Sequence, residues 1–250
     1  MHINEFFNRY PNCAIAFSGG VDSSYLLYAA SRYASSYKVY YVKTAFQPEF
    51  EYEDAKRIAD MLCADMSVIE LDILDDESVI SNPPDRCYHC KKRIFSAIAD
   101  RAQRDGFDVL LDGTNASDDP GDRPGTKALN ELNVLSPLRI CGLTKKEVRR
   151  LSKEAGLFTW DKPAYACLAT RILNNKRITK KDLERTEISE KYLASLGFRD
   201  FRVRTVGNDA RIEVTGSQLP MLIEKRSDIY SRLSEYYDSV LIDMETRNEE

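Results

Sequence analysis

The sequence predicts an α/β protein built on a parallel sheet and followed by a smaller α+β region. Short apolar runs alternate with stretches of helical spacing, which is typical of parallel strands joined by right-handed helical crossovers. A Gly-Gly pair lies at the turn between the first apolar run and the first helical stretch. Beyond Asn175 the pattern changes to alternating positions, which is typical of half-exposed strands.

The elements of the parallel part follow in order. A short leading helix is predicted over residues 3–9. The helix predicted over 49–63 has an acidic first turn, which suits the helix dipole. Thr144 and Glu147 form a capping box that begins a later helix. Strands are predicted at 13–17, 38–44, 66–71 and 108–112, and another helix is predicted over 91–104.

The stretch Asn174-Asn175-Lys176 is the predicted domain boundary, which gives a first domain at 1–173 and a second at 177–250. Thr179 caps a helix that ends at Leu196-Gly197. Strands at 201–204 and 211–214 are expected to form a hairpin with Asn208-Asp209 in its turn. A helical region over 217–236 and a strand at 239–244 complete the second domain.

Composition limits the class of protein. The 250 residues are 43% hydrophobic and 30% charged, as in an ordinary globular protein of one large domain or one domain with a small companion. No apolar run approaches the roughly 18 residues of a membrane helix, and the N-terminus lacks a secretory signal pattern. We therefore expect a cytoplasmic protein with no membrane partner. The net charge of −4 weakly disfavours a large nucleic-acid footprint, so no nucleic-acid partner is expected.

The segment Ser18-Gly19-Gly20-Val21-Asp22-Ser23 carries the strongest chemical signal. Two glycines at a strand-to-helix turn let the backbone approach a ligand closely, and the N–H groups of the helix then face an anion. The loop is neither a Walker loop nor a Gly-x-Gly-x-x-Gly loop. It resembles the pyrophosphate loop of the PP-loop ATP pyrophosphatase superfamily (adenine nucleotide alpha hydrolase-like), whose members split ATP into AMP and pyrophosphate. The resemblance implies ATP at Ser18, Gly19, Gly20, Asp22 and Ser23, with Mg²⁺ near Asp22.

The six cysteines fall into two groups, and a reducing compartment favours thiols or ligands over disulfides. Cys13, Cys63 and Cys141 are interpreted as small buried residues. Cys87 and Cys90 form a Cys-x-x-Cys pair, and Cys167 lies in a second irregular segment. The pair alone also suits a redox couple or half a zinc site. Three thiolates can hold three irons of a [4Fe–4S] cluster, so we expect the three sulfurs to converge.

A longer series of motifs resembles the LarE family of ATP-dependent sulfur transferases, and it covers most of the chain. The family makes the nickel-pincer nucleotide cofactor: it adenylates a carboxylate of pyridinium-3,5-biscarboxylic acid mononucleotide and converts it to a thiocarboxylate. Some members sacrifice one Cys, and others carry three Cys and a cluster, which is the pattern matched here. The motifs are Arg86-Cys87-Tyr88-His89-Cys90-Lys91, Asp112-Gly113-Thr114-Asn115, Asp122-Arg123-Pro124-Gly125, Ser136-Pro137-Leu138, Lys162-Pro163-Ala164-Tyr165-Ala166-Cys167-Leu168-Ala169-Thr170-Arg171, Arg202-Val203-Arg204 and Ala210-Arg211-Ile212-Glu213.

The resemblance also implies roles for individual residues. Thr170 replaces the usual Ser of the family and keeps the hydroxyl. A sulfide or other sulfur donor, a homo-oligomer and a small C-terminal domain for substrate binding or oligomerisation are implied as well. The nucleotide pocket would be completed by Gly113, Thr114, Asn115, Asp118 and Arg123. The substrate phosphate and pyridinium would be held by Lys91, Thr170, Arg171, Arg202 and Arg204. The catalytic group would be Cys87, Cys90, Cys167 and Asp22, and a metal ion near the sulfur site would be bound by Glu190 and Glu213.

Two other functions stay open. A tRNA thiolase of the same superfamily also combines a pyrophosphate loop with three cluster cysteines, but it adenylates a base. Its flanking zinc ribbons need more Cys than this chain has. A non-catalytic nucleotide-binding or iron–sulfur carrier protein is the third, and the pyrophosphate loop disfavours it because binding alone requires no pyrophosphate-release site.

Overall fold

A computed structural model describes residues 1–118 and 124–248 of the chain, which folds into two compact units. The first unit comprises Met1–Ile73 and Asp85–Lys162, and the second comprises Leu74–Pro84 and Pro163–Glu250. The division differs from the predicted boundary near Asn175 in two ways: it lies ten or so residues earlier, and it includes an excursion at 74–84. Asn82 explains the excursion, because its side chain donates to the carbonyl oxygens of Ile172 (3.3 Å) and Leu173 (2.8 Å).

The first unit is built on a parallel sheet, which confirms the predicted α/β class. Its strands are β1 (Asn12–Ala16), β2 (Ser36–Lys43), β3 (Met66–Glu70) and β4 (Leu110–Leu111). In the described residues they have the order β3-β2-β1-β4. Every pairing is parallel, with Ile15 opposite Val39 on one side and opposite Leu111 on the other.

Helices cover both faces of this sheet. They are α1 (Ile3–Arg9), α2 (Val21–Tyr33), α3 (Glu49–Met61), α5 (Arg86–Arg104), α6 (Pro124–Glu131), α7 (Pro137–Ile140) and α8 (Lys145–Glu154), while α4 (Glu77–Ile80) belongs to the excursion. Ile15 and Tyr41 pack in one apolar cluster with residues of α1, α2, α3 and α8, whereas Ala14 and Tyr40 face a second cluster with α5 and α6. This alternation follows from the two-residue period of a strand.

Two elements of the first unit differ from their predicted bounds. Helix α5 begins at Arg86 instead of 91, so Cys87 and Cys90 lie within its first turns. Strand β4 has two residues instead of the predicted stretch 108–112. Leu111 makes a further parallel bridge to Leu135, which extends the sheet beyond β4 without forming a full strand.

The second unit packs helices against a small sheet. Its elements are α9 (Lys180–Ser195), β5 (Arg202–Val206), β6 (Asp209–Glu213), α10 (Leu219–Glu224), α11 (Arg226–Leu233) and β7 (Val240–Ile242), with 3₁₀ turns at Leu168–Arg171 and Gly216–Gln218. The described strands have the order β5-β6-β7, and β7 runs parallel to β6. Strands β5 and β6 form the predicted hairpin, but its turn lies at Gly207-Asn208 because Val206 pairs with Asp209 and Gly207 takes a φ of +63°.

Within the described residues, none of the helices is both long and apolar enough to cross a bilayer.

Candidate active site

The 18–23 loop lies at the carboxyl end of β1 and leads directly into α2, as predicted. Ser18 and Ser23 are hydrogen-bonded through their hydroxyls at 3.0 Å, and the Ser23 hydroxyl also donates to the carbonyl oxygen of Gly20 at 3.2 Å. Gly20 is the N-cap and offers no side chain, so the first N–H groups of α2 keep the usual unpaired character of a helix start. A hydrogen-bonded loop at a helix N-terminus suits a phosphate group.

At two positions of this site a side chain would collide with neighbouring atoms, so glycine is required. Gly19 has a φ of +73°, and a Cβ on it would lie 3.0 Å from atoms of Ala55 in α3. Gly113 follows β4, and a Cβ there would lie 2.8 Å from the backbone nitrogen of Ser23. The absence of a Cβ at Gly113 therefore lets the second predicted nucleotide-binding loop lie directly against the start of α2.

Asp22 joins the two loops. Its Oδ1 accepts a hydrogen bond from the Asn115 side-chain nitrogen at 3.3 Å, and its Oδ2 pairs with Lys145 Nζ at 2.6 Å. Asn115 is buried, whereas Asp22 and Lys145 are half-exposed. Mg²⁺ is commonly held by one or two carboxylates together with the substrate's phosphates, so a single Asp beside a phosphate loop fits that ion.

The loop after β4 is tied down through its other polar residues. Asp112 accepts hydrogen bonds from Thr114 and, at 2.6 Å, from Ser136. The Asn115 N–H donates to Asp118 Oδ2 at 3.0 Å, and Arg139 donates to the Asp118 carbonyl oxygen at 2.9 Å. Of the residues predicted for the nucleotide pocket, Gly113, Thr114, Asn115 and Asp118 thus share one loop, and Arg123 lies outside the described residues.

Sequence reasoning missed Lys145 at this site. The capping box predicted a helix start at Thr144, and α8 begins there as expected, with the Thr144 hydroxyl accepting from the Glu147 N–H. A lysine in a first helical turn carries no signal of its own. Only the arrangement of α8 beside α2 places its ammonium group against Asp22.

The Cys-x-x-Cys pair lies in α5, where Cys87 is exposed and Cys90 is half-buried. The Arg86 guanidinium lies 3.7 Å from Cys87 Sγ, and His89 turns toward Asp85 at 3.3 Å. Lys91 lies against α6, because a Cβ on Gly125 would be 2.7 Å from Lys91 Cδ. Lys91 is half-buried, and its predicted contact with the substrate stays a prediction.

Cys167 belongs to the second unit, where it caps the 3₁₀ turn Leu168–Arg171. Arg171 is fully buried, and its guanidinium forms two parallel bonds with Glu190, Nε to Oε1 at 2.7 Å and Nη2 to Oε2 at 3.0 Å. Burial by itself lowers the pKa of Arg171, but the hydrogen bonds and the charge of Glu190 outweigh it, so the pKa lies above its ordinary value. Arg171 is therefore placed as an internal anchor.

Glu190 is equally enclosed. Besides Arg171, it accepts hydrogen bonds from the Tyr165 hydroxyl at 2.5 Å and from the Val203 N–H at 2.9 Å. Glu190 is buried and these donors occupy both of its carboxylate oxygens, so its surroundings do not favour the predicted metal-binding role, whereas Asp22 is half-exposed. Glu213 likewise faces guanidinium groups, with Arg204 Nε at 2.8 Å and Arg211 at 3.4 Å.

Arg202 and Arg204 differ in exposure although both lie on β5. Arg202 is buried and donates to the carbonyl oxygens of Phe201 (2.6 Å) and Ala164 (2.9 Å). Burial and then the nearby charge of Arg171 lower its pKa. Arg204 is half-buried and uses Nε for Glu213 and Nη1 for the Thr170 carbonyl oxygen. Arg204 therefore has the more accessible cation of the two.

Comparison with known proteins identifies the family. No family model matches the chain. A protein of Lactiplantibacillus plantarum named pyridinium-3,5-bisthiocarboxylic acid mononucleotide synthase is 33% identical over 207 residues, which are 82% of this chain and 75% of that protein. The chain belongs to the LarE family. An uncharacterized protein of Synechocystis sp. is 32% identical over 225 residues, which are 89% of this chain and 84% of its own.

A wider relationship supports the superfamily of this LarE chain. The tRNA-specific 2-thiouridylase MnmA of Thermotoga maritima is 25% identical over 185 residues, which are 57% of this chain and 52% of that protein. This relationship and the parallel sheet agree with the predicted PP-loop fold.

Metal binding is predicted for three cysteines and two glutamates of this LarE chain. Within residues 1–118 and 124–248, no group of three or more His, Cys, Asp or Glu side chains is arranged to hold a metal ion. Cys87 and Cys90 belong to the first unit and Cys167 to the second, and the three-cysteine cluster stays a prediction. All six cysteines are described and none is in a disulfide; Cys13 is buried as expected, but Cys63 is exposed, because it lies in a left-handed turn (φ +49°) after α3.

Proposed function

We propose that this chain is an ATP-dependent sulfur transferase that adenylates a carboxylate of pyridinium-3,5-biscarboxylic acid mononucleotide and converts it to a thiocarboxylate. The observation that carries the proposal is the joining of two loops at Asp22: this residue of the 18–23 loop accepts a hydrogen bond from Asn115 of the loop after β4 and pairs with Lys145 of α8. The name of the Lactiplantibacillus plantarum relative, a synthase of pyridinium-3,5-bisthiocarboxylic acid mononucleotide, supports the choice of substrate.

Adenylation comes first because a carboxylate is a poor electrophile. A carboxylate oxygen of the substrate attacks the α-phosphorus of ATP, the bond to the bridging oxygen breaks, and pyrophosphate leaves with that electron pair. The 18–23 loop and the start of α2 would bind the departing pyrophosphate, and Lys145 would add a positive charge. Asp22 would hold Mg²⁺, which spreads the charge that develops on the phosphates.

Sulfur transfer follows on the acyl-adenylate. A sulfur nucleophile attacks the acyl carbon, the bond to the AMP oxygen breaks, and AMP leaves. We place this step at Cys87, Cys90 and Cys167, which would hold sulfide taken from a sulfur donor; the attacking sulfide stays on the acyl carbon as the thiocarboxylate, and AMP is the leaving group. Substrate binding by Lys91, Arg202 and Arg204, the absence of a nucleic-acid partner, a cytoplasmic location and a homo-oligomer are part of the same proposal.

The adenylation step is tested by pyrophosphate release from ATP in the presence and absence of the pyridinium dicarboxylate mononucleotide. We expect release only with the substrate, and its loss in Asp22→Asn. Asp60→Asn is the matched control, because Asp60 is an exposed carboxylate in the last turn of α3. Normal release by Asp22→Asn would contradict the role of Asp22, and release that ignores the pyridinium compound would contradict the substrate.

The cluster prediction has a separate test. Protein purified without air is analysed for iron and acid-labile sulfide, in the wild type and in Cys87→Ala, Cys90→Ala and Cys167→Ala. A cluster requires both elements in the wild type and their loss in each variant. Wild-type protein that transfers sulfur without iron, together with loss of transfer in Cys167→Ala alone, would instead indicate one reacting cysteine.

A second function, tRNA thiolation, is favoured by the similarity to MnmA. Both functions consume ATP at the same kind of loop, so the sulfur acceptor distinguishes them. Pyrophosphate release stimulated by unmodified tRNA, with no response to the pyridinium compound, would replace the first proposal with this one.

A further inference from the structure

The backbone around Cys167 is held by side chains to an unusual extent. Arg202 donates to the Ala164 carbonyl oxygen at 2.9 Å, Arg171 to that of Ala166 at 2.8 Å, and Arg204 to that of Thr170 at 2.6 Å. The Thr170 hydroxyl donates to the carbonyl oxygen of Cys167 itself at 2.8 Å. Side-chain donors therefore hold this irregular segment, and the Cys167 carbonyl oxygen also accepts the Thr170 N–H of the 3₁₀ turn at 2.9 Å.

One buried ion pair is the centre of this arrangement. Arg171 Nη1 donates to both Ala166 O and the Thr170 hydroxyl at 2.8 Å, while its other nitrogens bind Glu190. Replacing such a pair by apolar residues is often neutral or stabilising, so stability alone does not explain it. Its particular contribution is geometric, because a planar guanidinium fixes the direction of every donor.

Glu190 connects this pair to the rest of the second unit. Its side chain extends from α9 and accepts hydrogen bonds from the Val203 N–H of β5 and from the Tyr165 hydroxyl. The Tyr165 ring in turn lies 4.6 Å from the Arg171 guanidinium carbon. The conformation around Cys167 is thus set by a helix and a strand, although the segment itself is irregular.

We infer that Thr170 and the buried pair of Arg171 and Glu190 are positioning residues that hold Cys167 in one backbone conformation for sulfur transfer. The inference rests on the proposed function for the role of Cys167. A reacting atom must be held within a narrow range of distance and angle, and a cysteine on a loop needs such support. The same contacts assign Thr170 and Arg171 a role other than the substrate binding that the family resemblance implies.

The first test uses the protein without ATP or substrate. Thr170→Val removes the hydroxyl and keeps the shape of the side chain. We expect iodoacetamide to alkylate Cys167 about fivefold faster in Thr170→Val, the change in local opening expected from one lost hydrogen bond. The rate is followed by mass spectrometry of the peptide that contains Cys167.

Thr186→Val is the matched control. Thr186 is a buried threonine of the same unit, and its hydroxyl makes two hydrogen bonds, to Asp182 O at 2.7 Å and with Thr205 at 3.0 Å, neither of which involves the Cys167 segment. It should lose similar stability while the Cys167 alkylation rate stays within about twofold of wild type. Equal rates in Thr170→Val and wild type, or an equal increase in both variants, would overturn the inference.

Substrate assays separate this inference from the proposed function. Thr170→Val should release pyrophosphate at the wild-type rate but transfer sulfur about tenfold more slowly, the loss expected from a misplaced reacting group. A higher KM for the pyridinium substrate with an unchanged alkylation rate would assign Thr170 to substrate binding instead. Failure of the wild type to release pyrophosphate would contradict the proposed function and leave the alkylation result standing.

Tyr165→Phe is a second, milder variant. It removes only the hydroxyl that donates to Glu190 at 2.5 Å and keeps the ring beside Arg171. It should raise the Cys167 alkylation rate in the same direction. No change of the alkylation rate in Thr170→Val or Tyr165→Phe would contradict the positioning role.

Discussion

Asp22 and Cys13 lie on consecutive elements, α2 and β1, but they differ in solvent exposure. Asp22 lies at the surface of the loop region and is held by a buried amide and a half-exposed ammonium group. Cys13, a few residues earlier on β1, has no exposed surface, and its burial raises the pKa of the thiol to about 12. One carries charge where a ligand can reach it, and the other must stay neutral.

The contact of Lys145 with Asp22 leads to a prediction about nucleotide binding. Lys145→Met should raise the KM for ATP by about 10-fold to 100-fold, since a charged hydrogen bond contributes about 1.5–3 kcal/mol. Lys146→Met is the control, because Lys146 is the exposed neighbour on the same helix turn. Steady-state kinetics at varied ATP measures both variants. An unchanged KM for Lys145→Met would mean that the pair with Asp22 is only structural.

The buried thiol leads to a prediction about pH. In the unfolded chain a cysteine ionises near its ordinary value of about 8.5, whereas folded Cys13 stays protonated up to about 12. Stability from this group is complete below the unfolded pKa and is lost as the pH rises toward the folded one. Relative to Cys13→Ala, the wild type should lose about 1.4 kcal/mol of unfolding free energy per pH unit between about pH 9 and 11. Urea unfolding measures this, and parallel curves for the two proteins would contradict it.

Among the elements, α8 and α5 show what sequence signals can and cannot determine. The capping box at Thr144 predicted the start of α8 correctly, because both of its hydrogen bonds are local. Helix α5 begins earlier than predicted, at Arg86, and no side-chain cap marks that start. The parallel sheet followed from alternating apolar runs, whereas its strand order and the pairing of Lys145 with Asp22 and of Arg171 with Glu190 required the packing of separate elements.

The cap of α8 can be tested directly. Thr144→Ala should lower the unfolding free energy by about 1 kcal/mol, the usual contribution of an N-cap hydroxyl. The hydrogen bond from the Thr144 backbone N–H, followed by that from its hydroxyl, lowers the pKa of Glu147. This contribution is present above the unfolded pKa and is lost as the pH falls through the folded one. Urea unfolding at about pH 7 and about pH 3.5 should therefore find a smaller effect of Thr144→Ala at the lower pH; a constant effect would exclude Glu147 as a partner.

At the scale of the whole molecule, the chain is divided more finely than its sequence suggests. The second unit takes a strip from the middle of the first, and that strip is fastened by backbone bonds from Ile178 N to Ile80 O at 2.8 Å and from Asn175 N to Asn82 O at 2.8 Å. No local pattern predicts this, because the partners are distant in sequence and the strip is too short for a clear period. The boundary predicted from the Asn174-Asn175-Lys176 composition cannot detect it.

Asn82 is the key residue of this strip. It is fully buried, has a φ of +57° and donates to two carbonyl oxygens. Asn82→Ala should cost about 2–4 kcal/mol of unfolding free energy, because buried acceptors lose their donor and the alanine is strained at a positive φ. Ser81→Ala, at an exposed neighbour, should change little. Thermal and urea unfolding measure both, and similar stability of the two variants would contradict this view of the strip.

The interrupted path of the chain also bears on how the protein is made. A ribosome releases the strip at 74–84 well before it finishes residues 163–250, which bind it. Val79, Ile80 and Asn82 are all buried in the finished molecule, so during synthesis they stay without their C-terminal partners. A polypeptide ending at the predicted boundary of 173 would lack the backbone bonds from Asn175 and Ile178 to this strip. Burial of residues 74–84 therefore requires the last third of the chain to be made first.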